Sequence, residues 1–241
     1  MVVVAAVGAT ATRPSRRRGA AADTDRMLRN RRSARRLHAG TYVVTAFLFL
    51  SGISLLDEGH PSLEALFGGH LAAAQWHRWV GYGLTAGAAL VIALRPRPSA
   101  RFVSESVRFR GQDLRWFASY PAFLLRPSRN APTRHEGHFD PGQRVFNVVV
   151  LVALAVLSIS GVLMSFPQAF TPATFAWSFR IHRLATWALA GAVAGHVLVA
   201  SGITAAYRGV WRAMHGDGRV SRELAERLWP TWAERRGPDA P

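Results

Sequence analysis

Four histidines are the residues of this 241-residue chain best placed to do chemistry. His38, His77, His182 and His196 lie within or at the ends of long apolar runs. An ionisable side chain in such a run is expensive and is usually kept for function. His182 and His196 are 14 residues apart, close to four helical turns, so they point from about the same face and differ in depth by roughly 21 Å. If the runs cross a membrane, the four fall at two levels: His77 with His182 outside, and His38 with His196 inside. Two imidazoles on facing helices, in a chain with no cysteine, suit the axial positions of a six-coordinate b-type haem. Full coordination leaves no open position for oxygen or substrate, so such a group passes single electrons. Zinc would need three or four ligands at one level, which this spacing does not supply. The competing account of any one of these histidines is an interhelical hydrogen bond or an interface anchor; pairing by depth across three helices favours ligation. His60, His70 and His215 read as solvated loop and tail residues. His135 and His138 have a metal-compatible spacing but no further ligand in register.

The elements that must position these residues are four apolar runs: about 38–56, 77–94, 145–166 and 181–203. Each is apolar all round instead of along one stripe, and long enough to cross roughly 30 Å of hydrocarbon, the second only just. Lipid offers no water to open backbone groups, so each must be a helix. The expected fold is all-α, a four-helix membrane bundle. All 30 basic residues are arginine, against 14 acidic ones, for a net charge of +16. Arginines crowd the segment before the first run, the stretch from Arg95 to Arg144, and the tail after Ala206. The connections 57–76 and 167–179 carry none, and the first holds Asp57, Glu58 and Glu64. The positive-inside rule then puts both termini and the middle loop in the cytoplasm, for a multi-pass protein of the cytoplasmic membrane. The charge reads as topology and attraction to lipid headgroups, not as nucleic-acid binding. Without cysteine, the chain holds no disulfide, iron–sulfur cluster or Cys-ligated zinc.

Three regions follow: a disordered arginine-rich arm over 1–36, a transmembrane cytochrome b domain over 37–208, and a cytoplasmic tail over 209–241. Between the second and third helices, aromatic and aliphatic residues mixed with arginine predict an interfacial helical segment, with breaks at Pro121 and Pro127. No internal repeat is evident. Gly52, Gly81, Gly83, Gly161, Gly191 and Gly195 thin the helix surfaces; ordinary small-residue packing explains each singly, and together they leave room for flat macrocycles. Arg78, Arg180 and Arg183 break the charge pattern beside the outer histidines. They are expected to neutralise haem propionates, or else to dock an acidic partner.

Several segments carry a family resemblance over about Arg35 to Trp232. RRLHAGTYVVTAFLFLSGISLL, WHRWVG, GHFDPGQRVFN, RIHRLATWALAGAVAGHVLVA and the ending GVWRAMHGDGRVSRELAERLWPTW resemble the gamma subunit of membrane-bound formate dehydrogenase, a di-haem cytochrome b. The histidine pairs are shared by other cytochromes b; the Gly-Gln loop and the ending are more specific. The resemblance implies two haem b, the outer bound by His77 and His182, the inner by His38 and His196. It implies an electron-transfer subunit and not a stand-alone enzyme, with an iron–sulfur subunit and a catalytic dehydrogenase subunit as partners, and menaquinone or ubiquinone as acceptor. Asp140, Gly142 and Gln143 fall where the family's loop approaches the quinone. The family's asparagine is here Asp140 and its aromatic is Phe139, so the carboxylate either carries a proton to the reduced quinone or caps the third helix. Leu224 and Leu228 replace the family's Trp and His. Alternatives are the cytochrome b anchor of a nickel–iron hydrogenase or thiosulfate reductase-type complex, and a haem-free membrane anchor.

Overall fold

The computed structural model describes residues 25–56, 60–127 and 134–235. Four long helices dominate: α1 (Arg32–Ser54), α3 (His70–Leu94), α6 (Pro141–Ser165) and α7 (Pro172–Ala200). The short α2 (Pro61–Leu66) lies between α1 and α3, and α4 (Pro96–Val107) and α5 (Gly111–Leu125) join α3 to α6. After α7 come α8 (Arg212–His215), α9 (Arg222–Leu228) and α10 (Pro230–Arg235). Helix α1 packs on α3, α6 packs on α7, and α3 meets α6, which joins the two pairs. The expected all-α bundle is what forms. Helices α1, α6 and α7 are both long and apolar enough to cross a membrane. Helix α3, at 25 residues, has the length, but His77, Arg78, Trp79 and Tyr82 make its first half more polar.

All four helices begin earlier than the apolar runs, and at α6 and α7 side-chain caps set the start. Asp140 accepts from Gln143 N at 2.8 Å, with Pro141 in the first turn of α6. Thr171 accepts from Thr174 N at 3.2 Å ahead of Pro172 in α7. An oxygen at the cap position and proline just inside are the expected way to open a helix. His77 and His182 therefore do not open their helices: they sit seven residues past His70 and ten past Pro172, well inside α3 and α7.

The predicted interfacial segment is two helices with a turn at Arg108–Arg110. Asp113 Oδ2 accepts from Arg110 N at 2.8 Å and starts α5. Contrary to expectation, Pro121 does not break it: α5 runs through to Leu125. Trp116 and Phe123, both buried, anchor the helix on either side of the proline, so tertiary packing outweighs the lost backbone bond. Pro127 does lie beyond the helix end.

A second correction concerns the arm expected to be disordered to residue 36. Residues 1–24 lie outside the described residues, but β1 (Arg26–Leu28) pairs antiparallel with β2 (Arg219–Ser221), Met27 opposite Val220. The Arg29 guanidinium lies 4.1 Å and 4.5 Å from the ring centres of Trp229 and Trp232, a favourable cation–π stack. Gly218 makes the approach possible: its φ is +87°, and a Cβ there would meet the Asn30 carbonyl at 2.3 Å. The pairing partner is almost 200 residues away, so no local pattern announces the strand. The arm and the tail thereby share one end of the bundle, the arginine-rich pole. Most of the buried apolar core is there too, with Phe123, Tyr207, Val220, Leu224, Leu228, Trp229 and Trp232 in one cluster. The long helices instead expose residues such as Leu90, Ile92 and Leu184, as lipid-facing surfaces do.

Candidate haem-binding sites

The fold brings the four histidines together as the two pairs expected from depth. At the far pole, opposite the arginine-rich one, the rings of His77 on α3 and His182 on α7 are 6.2 Å apart between centroids, crossed at 68°. At the arginine-rich pole, His38 on α1 and His196 on α7 are 6.4 Å apart, at 52°. Two imidazoles bound trans to one metal ion through bonds of about 2 Å would have centroids a little over 6 Å apart. Both pairs therefore fit a single bis-imidazole iron. Among the described residues no group of three or more metal-binding side chains occurs.

The far-pole rings are also oriented. Ser51 Oγ on α1 lies 2.9 Å from His77 Nδ1, and Ser160 Oγ on α6 lies 2.9 Å from His182 Nδ1. Neither serine stood out in the sequence, although the Ser-Gly pairs 51–52 and 160–161 are a signal that could have found them. They also show a repeat not evident from the sequence: in each helix pair, a Ser-Gly on the first helix seats a histidine of the second. Gly52 and Gly161 thus do something other than widen the gap, since a Cβ would stand 3.2 Å and 3.5 Å from the Cε1 atoms of His77 and His182. Gly81, Gly83, Gly191 and Gly195 do face open space.

A cavity of about 340 Å³ opens between the helices around His77 and His182. Arg78 and Arg183 line it, as the propionate reading requires of them. Arg180 does not; its guanidinium sits 5.6 Å from the Trp177 ring centre.

The inner pair has different company. The Phe146 ring stacks on His196 at 4.2 Å and 11°. His215 is exposed, as expected of a tail residue, but it also packs edge-on against His38 at 5.6 Å and beside Tyr42 at 5.9 Å, because α8 carries it back over α1. His135 is buried in the loop and donates through Nε2 to the Leu228 carbonyl at 2.9 Å, and His138 accepts from Arg29. These two pin the middle loop to the arm and the tail. His70 pairs with Glu64 in the far-pole connection.

The loop before α6 is ordered by its own polar groups. Asp140 caps the helix, and Gln143 Nε2 donates to Asn147 Oδ1 at 3.0 Å. Asn147 in turn donates to Ser106 Oγ at 3.0 Å. Gly142 has no room for a side chain: a Cβ would meet the Trp116 ring at 3.2 Å and Asp140 Oδ1 at 3.3 Å. Tyr120 and Tyr207 stand nearby, and burial, with the Asp140 carboxylate adding to it, raises both phenols above their ordinary range. Beneath the loop lies an ion pair that sequence reading missed, Arg144 with Asp113 at 2.9 Å.

The family model of prokaryotic cytochrome b561 matches residues 29–217. No curated protein matches the chain. The matched span covers well over half of the sequence and includes all four paired histidines, so the chain belongs to the prokaryotic cytochrome b561 family, and with it to the membrane cytochromes that bind haem b and transfer electrons.

Proposed function

We propose that the chain is the di-haem b membrane subunit of a formate dehydrogenase-like complex, taking electrons from an iron–sulfur subunit on the outer side and delivering them to a quinone on the cytoplasmic side. The observation that carries this reading is the pair of imidazole pairs, 6.2 Å and 6.4 Å between centroids, at opposite ends of one bundle. A haem-free anchor would have no use for that spacing. When bound, haem at each pair supplies reversible one-electron transfer. His77 and His182 hold the outer site, with Arg78 and Arg183 placed to balance the propionate charge there. His38 and His196 hold the inner site, and the flat Phe146 ring stacks against one face of His196.

Quinone reduction needs two electrons and two protons, so its site must adjoin the inner pair and reach water. The loop from Phe139 to Gln143 is the ordered polar segment at that pole. Gly142 lets Trp116 and the Asp140 carboxylate close in on the backbone there. One amide proton of Gln143 is committed to Asn147, which orients the group and leaves the second proton to donate to a carbonyl. Asp140 accepts a backbone N–H through Oδ1, and its other oxygen is able to relay a proton. The partners are then the iron–sulfur and catalytic subunits at the far pole and membrane lipid around the bundle, in the cytoplasmic membrane.

The test counts and assigns the haems. The purified chain should release two non-covalent protoporphyrin haems per polypeptide. His77→Ala or His182→Ala should remove one while sparing the other, and His38→Ala or His196→Ala should do the reverse. A haemochrome ratio near one would show that one pair is wrong. Loss of the His196-bound haem on changing His77 would break the assignment by depth.

A further inference from the structure

The two far-pole histidines are held by one device built twice. On α1, Ser51 Oγ lies 2.8 Å from the Phe47 carbonyl, one turn back, and 2.9 Å from His77 Nδ1. On α6, Ser160 Oγ lies 2.6 Å from the Val156 carbonyl and 2.9 Å from His182 Nδ1. A serine hydroxyl has one proton. With that proton donated to the helix carbonyl, its oxygen accepts from the imidazole, so Nδ1 carries the hydrogen in both rings. The two hydroxyls also lie 3.3 Å and 3.4 Å from the Leu48 and Leu157 carbonyls, and a carbonyl can only accept. That tautomer leaves the Nε2 lone pair as each ring's metal-binding site. The glycine after each serine lets the ring come close to the helix backbone. Both hydroxyls are buried, Ser51 fully and Ser160 to 4% exposure, so water does not compete for them. Among the described residues, neither His38 nor His196 has a hydroxyl partner of this kind.

We infer that Ser51 and Ser160 are positioning residues of the outer haem, fixing the tautomer and the ring planes of its two ligands and tuning it separately from the inner haem. The inference rests on the reading that His77 and His182 ligate one haem. An acceptor at Nδ1–H pushes electron density toward Nε2 and favours the oxidised iron. It also resists ring rotation, so the crossing angle of 68° is held by a hydrogen bond at each end and not by packing alone.

The experiment uses the full chain with its haems, titrated by redox potentiometry and read by optical and EPR spectroscopy. Ser51→Ala and Ser160→Ala should each raise the outer haem's midpoint potential and shift the anisotropic low-spin signal given by steeply crossed ligand planes. The inner haem's potential and signal should stay as in wild type. Ser51→Thr and Ser160→Thr keep the hydroxyl and should restore both readouts, including haem content if the alanine variants lose it. Wild-type potential and spectrum in both alanine variants would overturn the inference, and so would a change that threonine fails to reverse, which would mark the serines as packing groups. If the wild-type chain holds no haem at His77 and His182, the di-haem reading falls together with this one. Two wild-type haems with unaltered serine variants would overturn this inference alone.

Discussion

Asp140 has two roles to separate, and a single substitution separates them. Its carboxylate caps α6 through Gln143 N, and losing such a cap costs about 1 kcal/mol. Asparagine caps a helix as well as aspartate does, but it cannot carry a proton. Asp140→Asn should therefore leave both haems bound and reducible, yet slow their reoxidation by a quinone analogue by on the order of tenfold or more. Gln143→Ala should slow reoxidation in the same way, since it removes the amide donor. Stopped-flow haem reoxidation is the measurement. Wild-type rates in both variants would leave the loop as a helix cap and put the quinone elsewhere.

At the scale of elements, the segment between α3 and α6 is tied down by buried polar groups as well as by the apolar anchors Trp116 and Phe123. Arg144, 3% exposed, pairs with Asp113, 2% exposed. Its guanidinium also donates to the carbonyls of Arg108, Phe139 and Glu136, so one side chain joins α6 to the turn between α4 and α5 and to the loop before itself. The Gln143–Asn147–Ser106 chain makes a second tie, from α6 to α4. Arg144→Ala would leave the Asp113 carboxylate buried without its partner, at a cost of about 3–5 kcal/mol. The expected result is a large fall in thermal stability in detergent, followed by loss of haem absorbance. Replacing the pair together, Arg144→Met with Asp113→Leu, should recover much of that stability. A single Arg144→Ala variant as stable as wild type would show that the clamp is dispensable.

For the molecule as a whole, strand pairing of Arg26–Leu28 with Arg219–Ser221 requires the arm and the tail to share a side of the membrane. The arginine distribution predicts that this side is the cytoplasm. Reporter fusions after residue 115 and at the C-terminus should report cytoplasm, and fusions near Gly68 should report the outer side. The opposite pattern would reverse the direction of electron flow and put the Phe139–Gln143 loop on the wrong side for the proposed quinone site. Measured activity of tagged fusions in intact cells decides between them.

The histidine pairs and the helical bundle were legible in the sequence because lipid imposes long apolar runs, and because a fourteen-residue spacing on one helix converts directly into depth. The same rule located the arginine-rich pole, since charge asymmetry is a property of segments and needs no contacts. Other features depend on residues distant in the chain and left no periodic trace. The strand at Arg26 exists only because β2 returns to it, and the Arg29 stack needs Trp229 and Trp232 from the far end of the chain. Pro121 stays helical because Trp116 and Phe123 are buried around it. His215 meets His38 only once α8 folds back over α1. Arg180, grouped by sequence with Arg78 and Arg183, instead sits over Trp177, three residues back on the same helix, a choice of side-chain partner that the sequence does not announce. Ser51 and Ser160 are ordinary serines until α3 and α7 bring an imidazole nitrogen to each hydroxyl. Burial patterns and membrane thickness are local rules that a sequence carries openly, whereas hydrogen-bond partners across helices are settled only when the bundle closes.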